Sequence, residues 1–281
     1  PIVGHLFDPA TIRFLNYLGS TTRRYGRFFT FWAGPTPLIV VTDPTAVRQI
    51  MSDTRTFVKG RDYTEVFSIA FGRGLVTSNH DEHKRARTCL GKYFVRGSVE
   101  KHTTEMCSQT LRMIDEFMEP AAGGSTNVQH FFHLLALRVF GAFGMSMDFG
   151  APENKDVAQE LNRIVCEGSI TVGELMLKGI PAWKCVPMVR RLHKDVAWFD
   201  EQMDPIVDER IHLLARGDEE AVPEDLLTAL IREGYDRDEI HEHLRTLISA
   251  GHDTTAFFGC YMTFLLAGHP RVQEKARAEV A

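Results

Sequence analysis

The feature that most limits how this chain can fold is one long helical stretch near its end. From Asp236 to Ala267 there is no proline, and Ile240, Leu244, Leu247, Ile248, Phe258, Met262 and Leu265 recur at helical spacing. Asp236 with Glu239 three residues on reads as a capping box, and Gly268 and Pro270 stop the run. At 1.5 Å per residue the helix is roughly 45 Å long, enough to cross a whole domain. Its apolar residues place it at the centre of the fold, with those seven as core positions. In its middle stands Ala250-Gly251-His252-Asp253-Thr254-Thr255. Ala250, Gly251, Thr254 and Thr255 fall on one side, so two tiny residues and two hydroxyls replace bulky side chains for about one turn. Gly251 costs about 1 kcal/mol relative to alanine in a helix interior, and Asp253 requires a partner if it is buried. Two arrangements justify both residues: a flat cofactor or small ligand lying against the notch, or a close helix–helix crossing with Asp253 in a buried salt bridge. Thr254 can bond to the carbonyl four residues earlier, or release that carbonyl to water.

The rest of the chain reads as mostly helical beside a small sheet. Runs at 27–33 and 38–41, separated by Gly34-Pro35-Thr36-Pro37, predict a hairpin over 27–41, and Asp43-Pro44 starts a helix ending near Met51. Segments 98–120, 127–147, 153–178, 190–216 and 223–233 carry helical apolar spacing. A further helix, about 80–95, opens on Asn79-His80-Asp81-Glu82, whose polar caps and acids suit a helix N-terminus. His83 and Arg87 lie on one face of it at i, i+4 spacing, an imidazole and a guanidinium suited to holding carboxylates.

Several function classes are excluded or weakened. A net charge of -5 and the lack of a dense Lys/Arg run leave no electrostatic footprint for nucleic acid. The five cysteines show no CxxC spacing, which argues against a structural zinc site and fits a reducing compartment. His130 and His133 form an i, i+3 pair that lacks a third ligand in sequence, and His241 and His243 read as solvated. No apolar run reaches the ~20 residues needed to span a bilayer, and the most apolar internal helix, Leu134 to Met147, is interrupted by Arg138. The chain starts at Pro1 and stops within a charged helical run, so both ends are expected to be cut.

Taken together, these residues resemble the cytochrome P450 family. Ala250-Gly251-His252-Asp253-Thr254-Thr255 satisfies every position of the family's oxygen-activation motif, [AG]-G-x-[DE]-T-[TS]. Glu224-Asp225-Leu226-Leu227 before it and Gly268-His269-Pro270-Arg271-Val272-Gln273-Glu274-Lys275 after it resemble the family's flanking segments. His83 and Arg87 fill the W/H-x-x-x-R pattern whose side chains bond haem propionates, with Arg85 a weaker candidate, and Phe71-Gly72-Arg73-Gly74-Leu75-Val76-Thr77-Ser78 resembles the approach to that helix. The resemblance covers essentially the whole chain but little more than half of a complete family domain. The E-x-x-R helix and the F-x-x-G-x-x-x-C-x-G loop are missing, so no metal ligand is named in this chain and the axial cysteine is expected beyond residue 281.

The resemblance implies a mainly α fold with a small β-sheet region, an incomplete P450 fold whose C-terminal part is absent. It implies haem b (iron protoporphyrin IX) as cofactor, with NADPH acting indirectly through a redox partner, a cytochrome P450 reductase or a ferredoxin. Asp253 and Thr254 match the family's catalytic acid–alcohol pair: Thr254 holds a water by hydrogen bond and Asp253 relays protons from bulk solvent. Ala250, Gly251 and Thr255 form the oxygen groove. The implied reaction inserts one atom of O2 into a small lipophilic substrate such as a sterol or fatty acid. Phe67, Phe71, Phe131, Phe132, Met176 and Leu177 are candidates for the pocket or its access channel, or for core packing. Membrane association of the full-length protein, at the cytosolic face of the endoplasmic reticulum, is the matching expectation, and this chain alone is expected to be inactive. Two readings compete. One is a truncated, non-catalytic homologue or gene fragment unable to ligate haem. The other is an unrelated helical lipid-binding protein, which makes two position-matched motifs a coincidence.

Overall fold

A computed structural model describes residues 14–33, 36–117, 124–178, 186–217 and 219–280. Among these residues the chain forms twelve α helices and one two-stranded antiparallel sheet, the mainly α architecture expected. It divides into two compact units, residues 1–84 with 168–194 and residues 85–167 with 195–281.

The first unit holds α1 (Phe14–Tyr25), β1 (Phe28–Ala33), β2 (Thr36–Val41), α2 (Pro44–Ser52), α3 (Ser68–Phe71) and the start of α4 (His80–Gly91). The hairpin pairs Phe28 with Val41 and Ala33 with Thr36, so the second strand starts two residues earlier than its β-branched run suggests. Gly34 and Pro35 lie outside the described residues. Asp43 caps α2 as predicted, its Oδ1 accepting from the backbone N–H groups of Thr45 and Ala46 at 3.0 Å. Leu192 is buried among Val66, Phe67, Ile69 and Ala70, and Phe67 stacks between Tyr63 and Phe71 at 4.9 and 5.8 Å. Phe67 and Phe71 are therefore packing residues of this unit. The stretch before α4 is tied down by Lys59, whose Nζ donates to the carbonyls of Leu75 and Ser78 at 3.1 and 2.7 Å. The Asn79 side chain is spent on the Lys59 backbone N–H, 3.0 Å away, so it does not cap α4 as its sequence position suggests.

The second unit is helical: α5 (Arg96–Lys101), α6 (Thr103–Phe117), α7 (Val128–Met145), the first part of α8 (Lys155–Lys178), most of α9 (Val186–Ala215), α10 (Leu226–Arg232), α11 (Arg237–Ala267) and α12 (Pro270–Val280). The segment predicted as one helix over 98–120 is two, parted at His102, and α4 gives way after Gly91 to a 3-10 turn over Lys92–Phe94. Met113, Phe131 and Leu134 form a core between α6 and α7, so Phe131 is core rather than pocket. Arg138, which breaks the apolar pattern of α7, reaches Glu116 with two bonds of 2.7 and 3.1 Å. Asp225 is fully buried. It caps α10 through the Thr228 N–H at 2.8 Å, accepts from Arg210 at 2.6 Å and from the Ser146 hydroxyl at 2.8 Å, and so joins α7, α9 and α10. No described helix is long and apolar enough to cross a membrane.

The central helix α11 departs from its predicted burial. Its capping box forms as read, with Asp236 accepting from the Glu239 N–H at 2.9 Å and Glu239 from the Asp236 N–H at 3.0 Å. Ile240, Leu244, Leu247 and Ile248 are buried as expected. Phe258, Met262 and Leu265 are not: they are 70%, 44% and 55% exposed. The buried line of the second half runs instead through His252, Ala256 and Gly259. The reason is steric. Phe132 of α7 lies so close to Gly259 that a Cβ there would fall 2.4 Å from its ring, so the small-residue side of α11 takes the crossing. His241 and His243, read as solvated, are both buried, in a stretch of α11 where only Glu239, Glu242, Arg245 and Ser249 keep partial exposure between Glu239 and Ser249.

Candidate active site

The hexamer 250–255 occupies the middle of α11, where the helix passes from buried to open. Thr254 donates its hydroxyl proton to the Ala250 carbonyl at 2.7 Å, the back-bond anticipated from spacing. Ala250, Thr254 and Thr255 are exposed, and Phe258, Tyr261 and Leu265 continue an uncovered apolar stripe along the helix. Gly251 belongs to the other side. It is half-buried, and a Cβ on it would meet the Phe140 ring at 2.7 Å. The close helix crossing therefore explains Gly251, and Ala250 with the two threonines forms the open surface.

Asp253 turns towards a polar knot between α7, α8 and α11. Its Oδ1 lies 3.1 Å from His252 Nδ1, 3.9 Å from His133 Nε2 and 4.0 Å from Cys166 Sγ. His252 is fully buried, and its Nε2 meets Asn162 Oδ1 at 2.9 Å. The His133 and His252 rings stack with centroids 5.0 Å apart. The His133 ring also bonds the Gln129 backbone. Burial, reinforced by the neighbouring His252, lowers its pKa below that of an ordinary histidine, with Asp253 pulling the other way. Burial and the Asp253 carboxylate push the Cys166 thiol up to about 11. His252 stands at a variable motif position to which no role attaches, and the position gives no sign of this knot. His133 was visible as half of an i, i+3 pair. His130 does not join it; its ring packs on Phe117 at 5.6 Å.

On α4, His83 is half-buried and Arg87 exposed, one turn apart on a continuous helix. Arg85 is committed elsewhere. Its guanidinium lies 3.8 Å over the Tyr235 ring and donates to the Glu233 carbonyl at 2.9 Å, which removes it as a carboxylate clamp. Phe132, a candidate for pocket, channel or core packing, takes the packing role, its ring lying against Gly259. Met176 and Leu177 lie outside the residues whose side chains are described.

The chain matches the model of the cytochrome P450 family over residues 1–281. It is 27% identical to Cyclooctat-9-en-7-ol 5-monooxygenase of Streptomyces melanosporofaciens, aligning over 100% of this chain and 60% of that protein. It is 28% identical to cytochrome P450 709B3 of Arabidopsis thaliana, over 92% of this chain and 51% of that protein. With cytochrome P450 716A67 of Medicago truncatula the identity is 22%, over 98% and 55%. The chain thus spans between half and three fifths of the length of these relatives. A motif satisfied at every position, with Ala250, Thr254 and Thr255 on the open side of a long central helix, agrees with a family match that runs from the first residue to the last: the chain belongs to the cytochrome P450 family.

Proposed function

We propose that the full-length protein is a haem-dependent monooxygenase that inserts one atom of O2 into a lipophilic substrate, with Asp253 and Thr254 delivering protons. The observation that carries this reading is the open face of α11, where Thr254 is back-bonded to Ala250 beside an uncovered apolar stripe. That face suits a flat apolar macrocycle: Ala250 is small, Thr254 and Thr255 are exposed, and Phe258, Tyr261 and Leu265 are left uncovered among the described residues. When bound, the haem supplies the oxygen activation. His83 and Arg87 would hold its propionates through charge-assisted hydrogen bonds.

The chain's own residues then manage the proton. With its hydrogen on the Ala250 carbonyl, Thr254 Oγ1 keeps lone pairs that accept from a water on the open face. Asp253, next along the helix, borders the His252–His133 knot, so protons reach it through this polar neighbourhood and not only from bulk solvent. Ala250 keeps the face low enough for a small molecule to approach the backbone. Electrons come from NADPH through a cytochrome P450 reductase or a ferredoxin, and a sterol or fatty acid is the substrate class. One of the relatives is by name a monooxygenase. Attachment to the cytosolic face of the endoplasmic reticulum membrane, through residues other than the described helices, belongs to the same reading and is checked by fractionation. The test of function is the reduced, CO-bound absorption spectrum of the full-length protein. A Soret band at the family's characteristic position supports the proposal. Its absence after haem supplementation leaves a non-catalytic homologue.

A further inference from the structure

We propose that His133, Cys166, His252 and Asp253 form a binding site for a borderline-soft divalent cation of the zinc class, built across α7, α8 and α11. One ligand atom from each of the four lies within 4.8 Å of every other. Tetrahedral zinc with bonds of ~2.0–2.3 Å sets its ligand atoms roughly 3.3–3.8 Å apart. The 3.1, 3.9 and 4.0 Å separations around Asp253 Oδ1 bracket that range, so closure needs side-chain adjustments of under about 1 Å. The donor set of two imidazoles, one thiol and one carboxylate matches what zinc takes, and it excludes the all-oxygen preference of calcium and magnesium.

A second observation comes from His133, which is 3% exposed yet whose Nε2 has no hydrogen-bond partner. The bond to the Gln129 backbone occupies Nδ1, so Nε2 turns a lone pair towards an anionic carboxylate oxygen. Two electron-rich atoms converging in a buried space call for a cation between them. The second shell is also in place. Each imidazole anchors its outward nitrogen on an oxygen, His133 on the Gln129 backbone and His252 on Asn162 Oδ1, which fixes both rings with a nitrogen facing the cluster. Cys166 Sγ has only long contacts for its single S–H, 3.9 Å to Asn162 Oδ1 and 4.0 Å to Asp253 Oδ1, so the thiol is weakly committed where it stands. On binding, Cys166 gives its proton to solvent and the thiolate completes the fourth bond. This site is argued from its own geometry; with the cation bound, Asp253, His133 and His252 are occupied as ligands, so the proton delivery proposed above belongs to the metal-free state.

The test uses the full-length, haem-loaded protein, stripped of adventitious metal with a chelator and dialysed against zinc chloride. The proposal expects one zinc retained per chain, and a zinc-edge X-ray absorption spectrum with one sulfur among nitrogen and oxygen neighbours. Cys166→Ser and His133→Asn each weaken zinc binding at least tenfold, and Cys107→Ser, which alters an exposed thiol on α6, leaves it unchanged. Circular dichroism and the haem spectrum establish that the variants fold. If one does not, the sulfur in the wild-type zinc shell decides. Failure to retain zinc, a shell without sulfur, or equal retention by folded Cys166→Ser and His133→Asn overturns the proposal.

Discussion

A Cβ placed on Gly251 falls 2.7 Å from Cδ2 of Phe140, so the motif's glycine is fixed by a ring on α7. The same relation recurs two turns later, where a Cβ on Gly259 would meet Phe132 Cδ1 at 2.4 Å and Cγ at 2.7 Å. Alanine at either position gains about 1 kcal/mol in helix propensity, but forcing a methyl into a packed crossing costs about 1–3 kcal/mol. At Gly259 the clash reaches the base of the ring, which cannot swing aside without moving α7. Gly259→Ala is therefore expected to lower stability by up to about 2 kcal/mol net, read from the urea midpoint of the full-length protein. Gly251→Ala is expected to be milder.

The buried Arg210–Asp225 pair joins three helices ahead of α11. Arg210→Met leaves the fully buried Asp225 with its two neutral donors and no cation. The expected loss is about 3–5 kcal/mol, measured by denaturant titration. Replacing both partners together, as Arg210→Met with Asp225→Asn, should recover part of it, because the uncompensated charge is gone.

Acid sensitivity follows from buried histidine. Burial, with Arg85 adding to it, pushes His243 down to about 4 from 6.5. Its folded pKa lies below its unfolded one, so the unfolded chain takes up the proton first as the pH falls. Its contribution is complete above about pH 6.5 and is lost progressively towards pH 4, up to about 3 kcal/mol. His133 and His241, both lowered by burial, act in the same direction. Urea midpoints between pH 7 and roughly 4.5 should fall in the wild type and fall less steeply in His243→Gln. Equal slopes would count against this assignment.

Local grammar was legible where local chemistry decides. The Asp236–Glu239 capping box, the Asp43 cap and the Thr254 back-bond all form as their spacing indicates, because each involves residues within four positions of one another. The burial of α11 was not. A helix apolar on most of its circumference offers two candidate core faces. The choice between Phe258-Met262-Leu265 and His252-Ala256-Gly259 was made by Phe132 and Phe140, more than a hundred residues away in sequence. The knot around Asp253 was hidden for the same reason. His133, Cys166 and His252 stand on three helices, and no spacing rule within one helix brings them together.

The central claim is that the open face of α11 carries the proton-delivering alcohol of a monooxygenase, and its most direct test is the ratio of product formed to NADPH consumed in full-length Thr254→Ala. Loss of the hydroxyl removes the back-bond to the Ala250 carbonyl and, with it, the group proposed to hold a water on the open face. The account predicts that NADPH consumption continues while product per NADPH falls at least about tenfold and hydrogen peroxide rises to match. A Thr254→Ala protein that couples NADPH to product as the wild type does would contradict it.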